Sequence, residues 1–286
     1  MIPATFDYLA PSTVADAVQA LTEAGDDAKV LGGGQSLIPV LRLRLAAPTT
    51  LVDLARISEL RGIRDDGGAL VIGAMTTHHD VLSDPLITEH AALLAAATAT
   101  VGDPQIRHRG TFGGALVHAD PAGDLLAPVL ALDAELVIAG PRGRRTVPAA
   151  EFFVGLFTTA VGADEILVQV RVPKKTGWGM HYEKFSRAAQ AWSIVAVAAA
   201  VRIEDGSIAA ARVALTNMDR TPVRASAVEH SLIGRPADDE TIRAAAEHAA
   251  EGTNPIPDSN ADAEYRAHLA RVLTRRALTL AARTAG

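Results

Sequence analysis

The segment Lys29-Val30-Leu31-Gly32-Gly33-Gly34-Gln35-Ser36-Leu37-Ile38-Pro39 is the most informative part of this sequence. Its apolar beginning predicts a short strand, which runs directly into three consecutive glycines. Successive glycines allow a backbone to approach a ligand closely and to turn its N–H groups toward an anion, most often a pyrophosphate. The segment therefore predicts an anion-binding loop, and a tight turn without a ligand is the alternative.

Two named phosphate-binding motifs fit this segment poorly. A P-loop requires a lysine after the glycines, and none follows here. A Rossmann fingerprint requires a glycine or alanine where Leu37 stands, and Pro39 is predicted to obstruct the first turns of the following helix. Asp53 lies about where a Rossmann fold places its ribose-binding carboxylate, so that interpretation stays open as a minor alternative.

A second glycine segment, Arg109-Gly110-Thr111-Phe112-Gly113-Gly114-Ala115, follows downstream. Two such segments predict two walls of one phosphate site. Beyond them, Asp120 precedes a proline, which is typical of a helix N-cap. Asp124 lies four residues later, where it either hydrogen-bonds a ligand hydroxyl or is a solvated helix carboxylate.

The composition excludes several kinds of chemistry. The chain has 286 residues and no cysteine, so it cannot build a disulfide, a cysteine-ligated zinc site, a thiol nucleophile or an iron–sulfur cluster by itself. A formal net charge of −6 disfavours a nucleic-acid partner. There is no basic residue before Lys29 and no apolar run near the roughly 18 residues that span a bilayer. We expect a soluble, cytoplasmic protein without a signal peptide or a transmembrane segment.

Side-chain catalysis and metal binding are weakly indicated. The chain has nine histidines, but His78 and His79 are adjacent and diverge on a helix, and no His-Glu-x-x-His pattern occurs. There is also no Gly-x-Ser-x-Gly nucleophile motif. We therefore predict no metal site and no catalytic side chain, and favour a bound cofactor that brings its own chemistry.

The pattern of elements predicts two α+β domains. Thr13 and Asp16 resemble a capping box for a helix that ends at Gly25. A Pro-Lys-Lys-Thr-Gly sequence at 173–177 predicts a domain boundary, between domains 1–175 and 176–286. We predict the other strands at 50–54, 69–72, 135–139, 165–172, 192–203 and 208–217, and helices at 77–82, 89–99, 223–233, 239–251 and 262–283.

Both glycine segments, with Ala119-Asp120-Pro121-Ala122-Gly123-Asp124 downstream, resemble the FAD-binding medium subunit of molybdenum hydroxylases, the family of carbon monoxide dehydrogenase and xanthine dehydrogenase. The resemblance covers essentially the whole chain. It implies an α+β, PCMH-type (vanillyl-alcohol oxidase-like) FAD-binding domain of two subdomains that clamp FAD over 1–175. A smaller α+β domain, an antiparallel sheet with helices, like the C-terminal domain of the carbon monoxide dehydrogenase flavoprotein, is implied over 176–286.

The resemblance also implies which residues contact FAD. Residues 30–37 would wrap the pyrophosphate, 111–115 would form a second phosphate turn, and Asp124 would face a hydroxyl or the adenosine end. Leu167 and Trp192 would lie near the flavin ring, although a lone tryptophan at a strand start is also typical of a core. The full implied set is Lys29, Val30, Leu31, Gly32, Gly33, Gly34, Gln35, Ser36, Leu37, Val101, Gly102, Thr111, Phe112, Gly113, Gly114, Ala115, Asp124, Leu167, Lys184 and Trp192.

Two positions depart from the family pattern. Ala115 stands where the second motif usually has asparagine, which removes one side-chain hydrogen bond. Gln35 stands where histidine is frequent, which keeps a polar group.

The function implied by the resemblance is electron transfer within a complex. A large subunit would carry the molybdenum cofactor, a small subunit would carry two [2Fe–2S] clusters, and FAD in this chain would pass electrons to an external acceptor. The complex would be a dimer of heterotrimers. Two alternatives remain: a self-sufficient PCMH-type flavin oxidoreductase, and a scaffold or assembly protein that keeps the fold without the cofactor.

Overall fold

The structure is a computed structural model that describes residues 2–285. The strands are β1 Asp7–Leu9, β2 Ala28–Leu31, β3 Thr50–Asp53, β4 Ile63–Asp65, β5 Ala69–Gly73, β6 Glu135–Gly140, β7 Gly143–Pro148, β8 Phe153–Gly155, β9 Thr158–Thr159, β10 Ile166–Pro173, β11 Gly179–Phe185, β12 Val195–Glu204, β13 Ser207–Thr216 and β14 Val223–Arg224. The α-helices are α1 Val14–Ala24, α2 Leu37–Arg42, α3 His78–Ser83, α4 Pro85–His90, α5 Ala92–Ala99, α6 Pro104–Arg109, α7 Phe112–His118, α8 Leu126–Ala131, α9 Ala149–Phe152, α10 Ser226–Leu232, α11 Asp239–Ala246 and α12 Ala263–Thr284.

The first subdomain is a three-stranded parallel sheet of order β1-β3-β2. Helix α1 begins as predicted, because Thr13 accepts a hydrogen bond from the Asp16 N–H, and it ends at Gly25, which takes a positive φ of 71°. Its apolar face buries Val18 and Leu21. This packing fixes the direction of β2, and therefore the place where the glycines leave the sheet.

The second subdomain is a five-stranded antiparallel sheet of order β4-β5-β10-β6-β7, covered by the helices between β5 and β6. Strand β10 lies in the middle of this sheet although it comes last in sequence. The pairing with β6 is irregular between Leu167 and Gln169. Ile166 and Val168 of β10 pack in one cluster with residues of α1 and β3, so the start of β10 faces the first subdomain.

The C-terminal unit is an antiparallel sheet of order β11-β12-β13-β14 that is buried on both faces. Alternate residues of β12 point in opposite directions. Ala196, Ala198 and Ala200 pack into the core of the second subdomain, whereas Val195 and Val197 pack against the C-terminal helices. Small side chains on the inner face allow this sheet to lie close to the second subdomain. The predicted α+β architecture of all three units is confirmed.

The segment at the predicted boundary is anchored rather than loose. Lys175 is 9% exposed, and its ammonium lies 4.7 Å from the centroid of the Trp178 ring and 3.4 Å from Asp133 Oδ2. Arg212 and Arg224 of the C-terminal sheet bond the same Asp133 carboxylate at 2.9 and 2.8 Å. The two parts of the chain are therefore joined by ion pairs as well as by apolar packing.

Several predicted elements differ from the structure. The helix predicted at 89–99 is two helices, α4 and α5, that meet at Ala91. The helix predicted at 223–233 begins only after the short strand β14. Asp120 caps a turn instead of a helix, since its carboxylate accepts the Ala122 N–H at 2.9 Å. Within residues 2–285, no helix is both long and apolar enough to cross a membrane.

Candidate functional site

A cleft of about 660 Å³ lies between the two N-terminal subdomains and is partly covered by the C-terminal unit. Its walls come from the ends of three strands: the glycines after β2, Ala74 and Met75 after β5, and Ile166 and Leu167 at the start of β10. The junction of α6 and α7 closes one side, and the loop before β12 borders another. A site assembled from so many elements depends on the packing of all three units.

The two glycine segments contact one another in this cleft. A Cβ on Gly32 would lie 3.1 Å from Thr111 Oγ1. A Cβ on Gly33 would lie 2.7 Å from Gly110 Cα and even closer to the Arg109 carbonyl oxygen. Gly34 has a positive φ of 77°, which favours glycine. The two segments therefore line one cleft, as the sequence predicts, and the assignment of that cleft to a phosphate group stays a prediction.

The two segments differ in their free hydrogen-bond donors. Among residues 2–285, the backbone N–H groups of residues 33–36 donate to no protein acceptor. In the second segment, the N–H groups of Phe112 and Gly113 donate to Thr76 O at 2.9 Å and Ala74 O at 2.8 Å. The Gly114 N–H donates to Thr111 Oγ1 at 3.3 Å, which caps α7. The second segment is thus the beginning of a helix with occupied amides rather than an open turn, and the first segment carries the donors.

Pro39 does not prevent a helix after the glycines. Helix α2 begins at Leu37, and Pro39 occupies its first turn, where the proline's missing N–H has no intrahelical partner to lose. The predicted obstruction was wrong for this reason. The Rossmann alternative still lacks its third glycine, because Leu37 occupies that position.

Most of the residues implied by the resemblance line the cleft. The exceptions are Leu31, Phe112 and Lys184. Phe112 is fully buried in the core of the second subdomain, so its expected contact with a cofactor is corrected: the side chain supports the α7 backbone from behind. Those that line the cleft are Lys29, Val30, Gly32, Gly33, Gly34, Gln35, Ser36, Leu37, Val101, Gly102, Thr111, Gly113, Gly114, Ala115, Asp124, Leu167 and Trp192.

Asp124 is the centre of a buried polar cluster that joins the domains. It is 6% exposed, and its carboxylate accepts hydrogen bonds from Tyr182 Oη at 2.9 Å and Ser193 Oγ at 2.9 Å. Lys184 Nζ, itself buried and also bonded to Thr100 O, donates to the other oxygen at 2.8 Å. Burial raises the pKa of Asp124, against the opposing influence of Lys184 and the two hydroxyls. The alternative of a solvated helix carboxylate is wrong.

Trp192 lies at the edge of the cleft with 55% of its surface exposed. It precedes β12 instead of opening it, so the core interpretation of this tryptophan is wrong. The backbone beside it is held tightly, since Asn217 Nδ2 donates to Ser193 O at 2.8 Å. An exposed aromatic side chain on an anchored backbone is suited to stacking on a flat ligand.

His78 is a cleft residue that the sequence analysis did not select. It stands at the start of α3, is 4% exposed, and lines the cavity beside Gly110. Within the described chain, its Nδ1 atom is buried without a hydrogen-bond partner. The adjacent His79 is exposed. The only sequence signal was Thr77 as a helix N-cap, which orients the first helical residue but does not show what it faces.

We expect His78 to make the protein less stable in acid. Burial, with a smaller contribution from Arg107, lowers the pKa of His78 from 6.5 to about 4. The unfolded chain therefore binds a proton between these pH values that the folded chain does not, so stability is lost as pH falls from about 6.5 to about 4. The loss approaches roughly 3 kcal/mol in the free energy of unfolding. His78→Gln should remove this part of the acid dependence in denaturant unfolding of the FAD-free chain, whereas His79→Gln should leave it. Parallel pH profiles for the wild type and His78→Gln would contradict the expectation.

Two family models together match nearly the whole chain. Residues 4–175 match the FAD binding domain in molybdopterin dehydrogenase, and residues 180–281 match the CO dehydrogenase flavoprotein C-terminal domain. The chain is 41% identical over 284 residues to the carbon monoxide dehydrogenase medium chain of Hydrogenophaga pseudoflava, covering 98% of each chain. It is 31% identical to the xanthine dehydrogenase FAD-binding subunit of Escherichia coli O157:H7, covering 98% of this chain and 97% of that one.

Solved structures agree with these matches. The carbon monoxide dehydrogenase of Hydrogenophaga pseudoflava that lacks the Mo-pyranopterin moiety has a chain with a TM-score of 0.97 and 42% identity, with both chains fully covered. A chain of quinoline 2-oxidoreductase from Pseudomonas putida 86 has a TM-score of 0.95 and 34% identity, covering 100% of this chain and 99% of that one.

Proposed function

This chain belongs to the family of FAD-binding medium subunits of molybdenum hydroxylases, and on that premise we propose that its cleft holds FAD with the diphosphate on residues 32–36. The observation that carries the proposal is the set of free N–H donors on this segment. Four successive amides without protein acceptors are suited to diphosphate oxygens, which are strong hydrogen-bond acceptors.

The shape of the cleft fits this cofactor. A Cβ at position 33 would fill the space between the two glycine segments, so the close approach of the two backbones depends on glycine. The same cavity is lined by Val101 and Gly102, by the glycines, and by Leu167 and Trp192. A cavity whose walls come from so many separate segments suits a long ligand. We propose that the apolar end beside Leu167 and Trp192 receives the ring system of the cofactor.

The protein is an FAD-dependent oxidoreductase subunit, and its own residues bind, orient and shield the cofactor. Bound FAD supplies the redox chemistry, because a flavin accepts electrons singly and releases them singly or in pairs. Asp124 and Lys184 hold the C-terminal unit against the cleft. We propose that Trp192 and Leu167, which line the cleft, restrict the approach of water and acceptors from their side. We assign no proton transfer to any side chain of this protein.

The complete reaction requires partner subunits. Having no cysteine, this chain cannot ligate an iron–sulfur cluster. Among residues 2–285, there is also no cluster of three or more side chains that would hold a metal ion. Large and small subunits accompany a medium chain of this type, and we propose that they carry the molybdenum cofactor and two [2Fe–2S] clusters, in a dimer of heterotrimers. Electrons would enter from the clusters and leave to an external acceptor. We also propose that the boundary between the two domains lies near residue 175 and that the protein is cytoplasmic, as the sequence predicts.

The proposal is tested by purifying the tagged chain from cells that also produce its partners. We expect one FAD per chain from the released flavin, iron and molybdenum in the copurified subunits, and hydroxylase activity only in the assembled complex. Substrate turnover by the isolated chain would instead indicate a self-sufficient oxidoreductase. An assembled complex with metals but no flavin would indicate a scaffold and would refute the proposed role.

A further inference from the structure

The imidazole of His78 makes no hydrogen bond to a protein atom among residues 2–285. It lies in the wall of the cleft. Buried polar groups in folded proteins are nearly always paired, since an unpaired group forfeits its bonds to water. Nδ1 is fully buried, so the small exposed part of the ring, on the cavity side, is what a ligand can reach.

The position of this ring relative to the glycine segments is fixed by backbone contacts. The His78 N–H donates to Gly110 O at 3.0 Å. A Cβ on Gly110 would lie 2.7 Å from His78 Cδ2 and 3.0 Å from Nε2. Gly110 Cα is also the atom that a Cβ on Gly33 would approach to 2.7 Å. Gly110 therefore contacts both His78 and Gly33, the first residue of the segment with the free amides.

The charge state of His78 decides what it can offer. Arg107 of α6 is the charged group that acts on it, and together with burial it favours the neutral ring at physiological pH. A neutral imidazole has one N–H donor and one acceptor nitrogen. A neutral N–H group can donate a hydrogen bond to an anionic ligand, and it avoids the cost of burying a charged imidazolium.

We propose that His78 is a positioning residue for the diphosphate of FAD, with its Nε2–H donating to a diphosphate oxygen beside the amides of residues 33–36. This inference rests on the proposed function. It assigns His78 a specific contact in addition to the residues implied by the family resemblance.

The test compares His78→Gln with His78→Asn in the assembled complex. The Gln side-chain amide reaches about as far as Nε2, whereas the Asn amide reaches only about as far as Nδ1. The complexes are stripped of flavin, titrated with FAD, and studied by phosphorus NMR of the bound cofactor. We expect His78→Asn to weaken FAD binding by about tenfold and to shift a diphosphate resonance. The FAD affinity of His78→Gln should stay within about threefold of the wild-type affinity. The exposed control His79→Asn should bind FAD as tightly as the wild type.

Three results would overturn the inference. One is wild-type affinity together with unchanged phosphorus resonances in His78→Asn. Another is equal loss of affinity in both variants with unchanged resonances, since that would show a structural role away from the diphosphate. The third is a wild-type complex that binds no FAD, which removes the proposed function itself and is recognised before any variant is made.

Discussion

Gly33→Ala is expected to weaken FAD binding by about 5- to 150-fold, because an overpacked contact costs roughly 1–3 kcal/mol. The added Cβ would lie 2.7 Å from Gly110 Cα and 2.9 Å from the Arg109 carbonyl carbon. Both atoms belong to the backbone, so no side-chain rotation relieves the overlap. The two glycine segments must separate, and the amides of residues 33–36 then lose their alignment. Flavin content and FAD titration of the flavin-free complex measure the effect.

Substitutions at two other glycines serve as comparisons for this result. Gly68→Ala is the matched control, since its Cβ would meet no atom within 4 Å. Gly32→Ala should weaken FAD binding by an intermediate amount, because the one close contact of its Cβ would be the Thr111 hydroxyl at 3.1 Å, with Met75 Sδ and Gly114 Cα at the ordinary distances of 3.7 and 3.9 Å. Circular dichroism and thermal unfolding establish that each variant is folded. If Gly33→Ala bound FAD as tightly as Gly68→Ala, the diphosphate could not lie where we place it.

Asp124→Ala is expected to destabilise the FAD-free protein by about 3–5 kcal/mol in the free energy of unfolding. The substitution leaves the buried Lys184 ammonium without its anion, and Tyr182 and Ser193 lose their common acceptor. Denaturant unfolding of the wild type and the variant measures this loss. A role confined to a cofactor hydroxyl predicts a different outcome, in which FAD binding weakens while the stability of the flavin-free protein stays unchanged.

A double-mutant cycle separates the ion pair from the rest of the cluster. Lys184→Met removes the buried cation, so Asp124→Ala should cost much less in that background than in the wild type. We expect an interaction energy of about 2 kcal/mol, in the upper part of the range of roughly 0.5–3 kcal/mol for residues in direct contact. The exposed pair of Arg144 and Glu59 is a suitable control, where a cycle should give about 1 kcal/mol or less. Additive effects at Asp124 and Lys184 would contradict the assigned contact.

Local signals predicted the elements whose causes lie within a few residues. Helix α1 is confirmed because Thr13, Asp16 and Gly25 act on the backbone next to them. Strands β5 and β10 are confirmed because their apolar runs indicate burial. Helix α7 was not predicted, since glycines at 113 and 114 are unfavourable in a helix. A Cβ at 113 would strike the backbone of Ala74, so packing against β5 selects glycine there.

In the candidate site, too, some features could be predicted from the sequence and others could not. Both glycine segments could be recognised in the sequence, because backbone close to a ligand requires glycine wherever the rest of the chain lies. The roles of individual side chains could not. Phe112 is adjacent to the cleft in sequence but points into the core, and His78 is one of nine histidines until Gly110 packs beside it.

The sequence alone predicted an anion-binding loop and the order of the domains, and it established the absence of cysteine ligands, because these depend on residue type and on neighbours along the chain. Tertiary structure alone decided that residues 33–36 carry the free donors and that Asp124 joins the domains. The partners of Asp124 follow it by 58 to 69 residues, and such pairs form only when separate units pack together. Packing also buries the charges of that cluster, and burial makes a paired carboxylate structural rather than solvated.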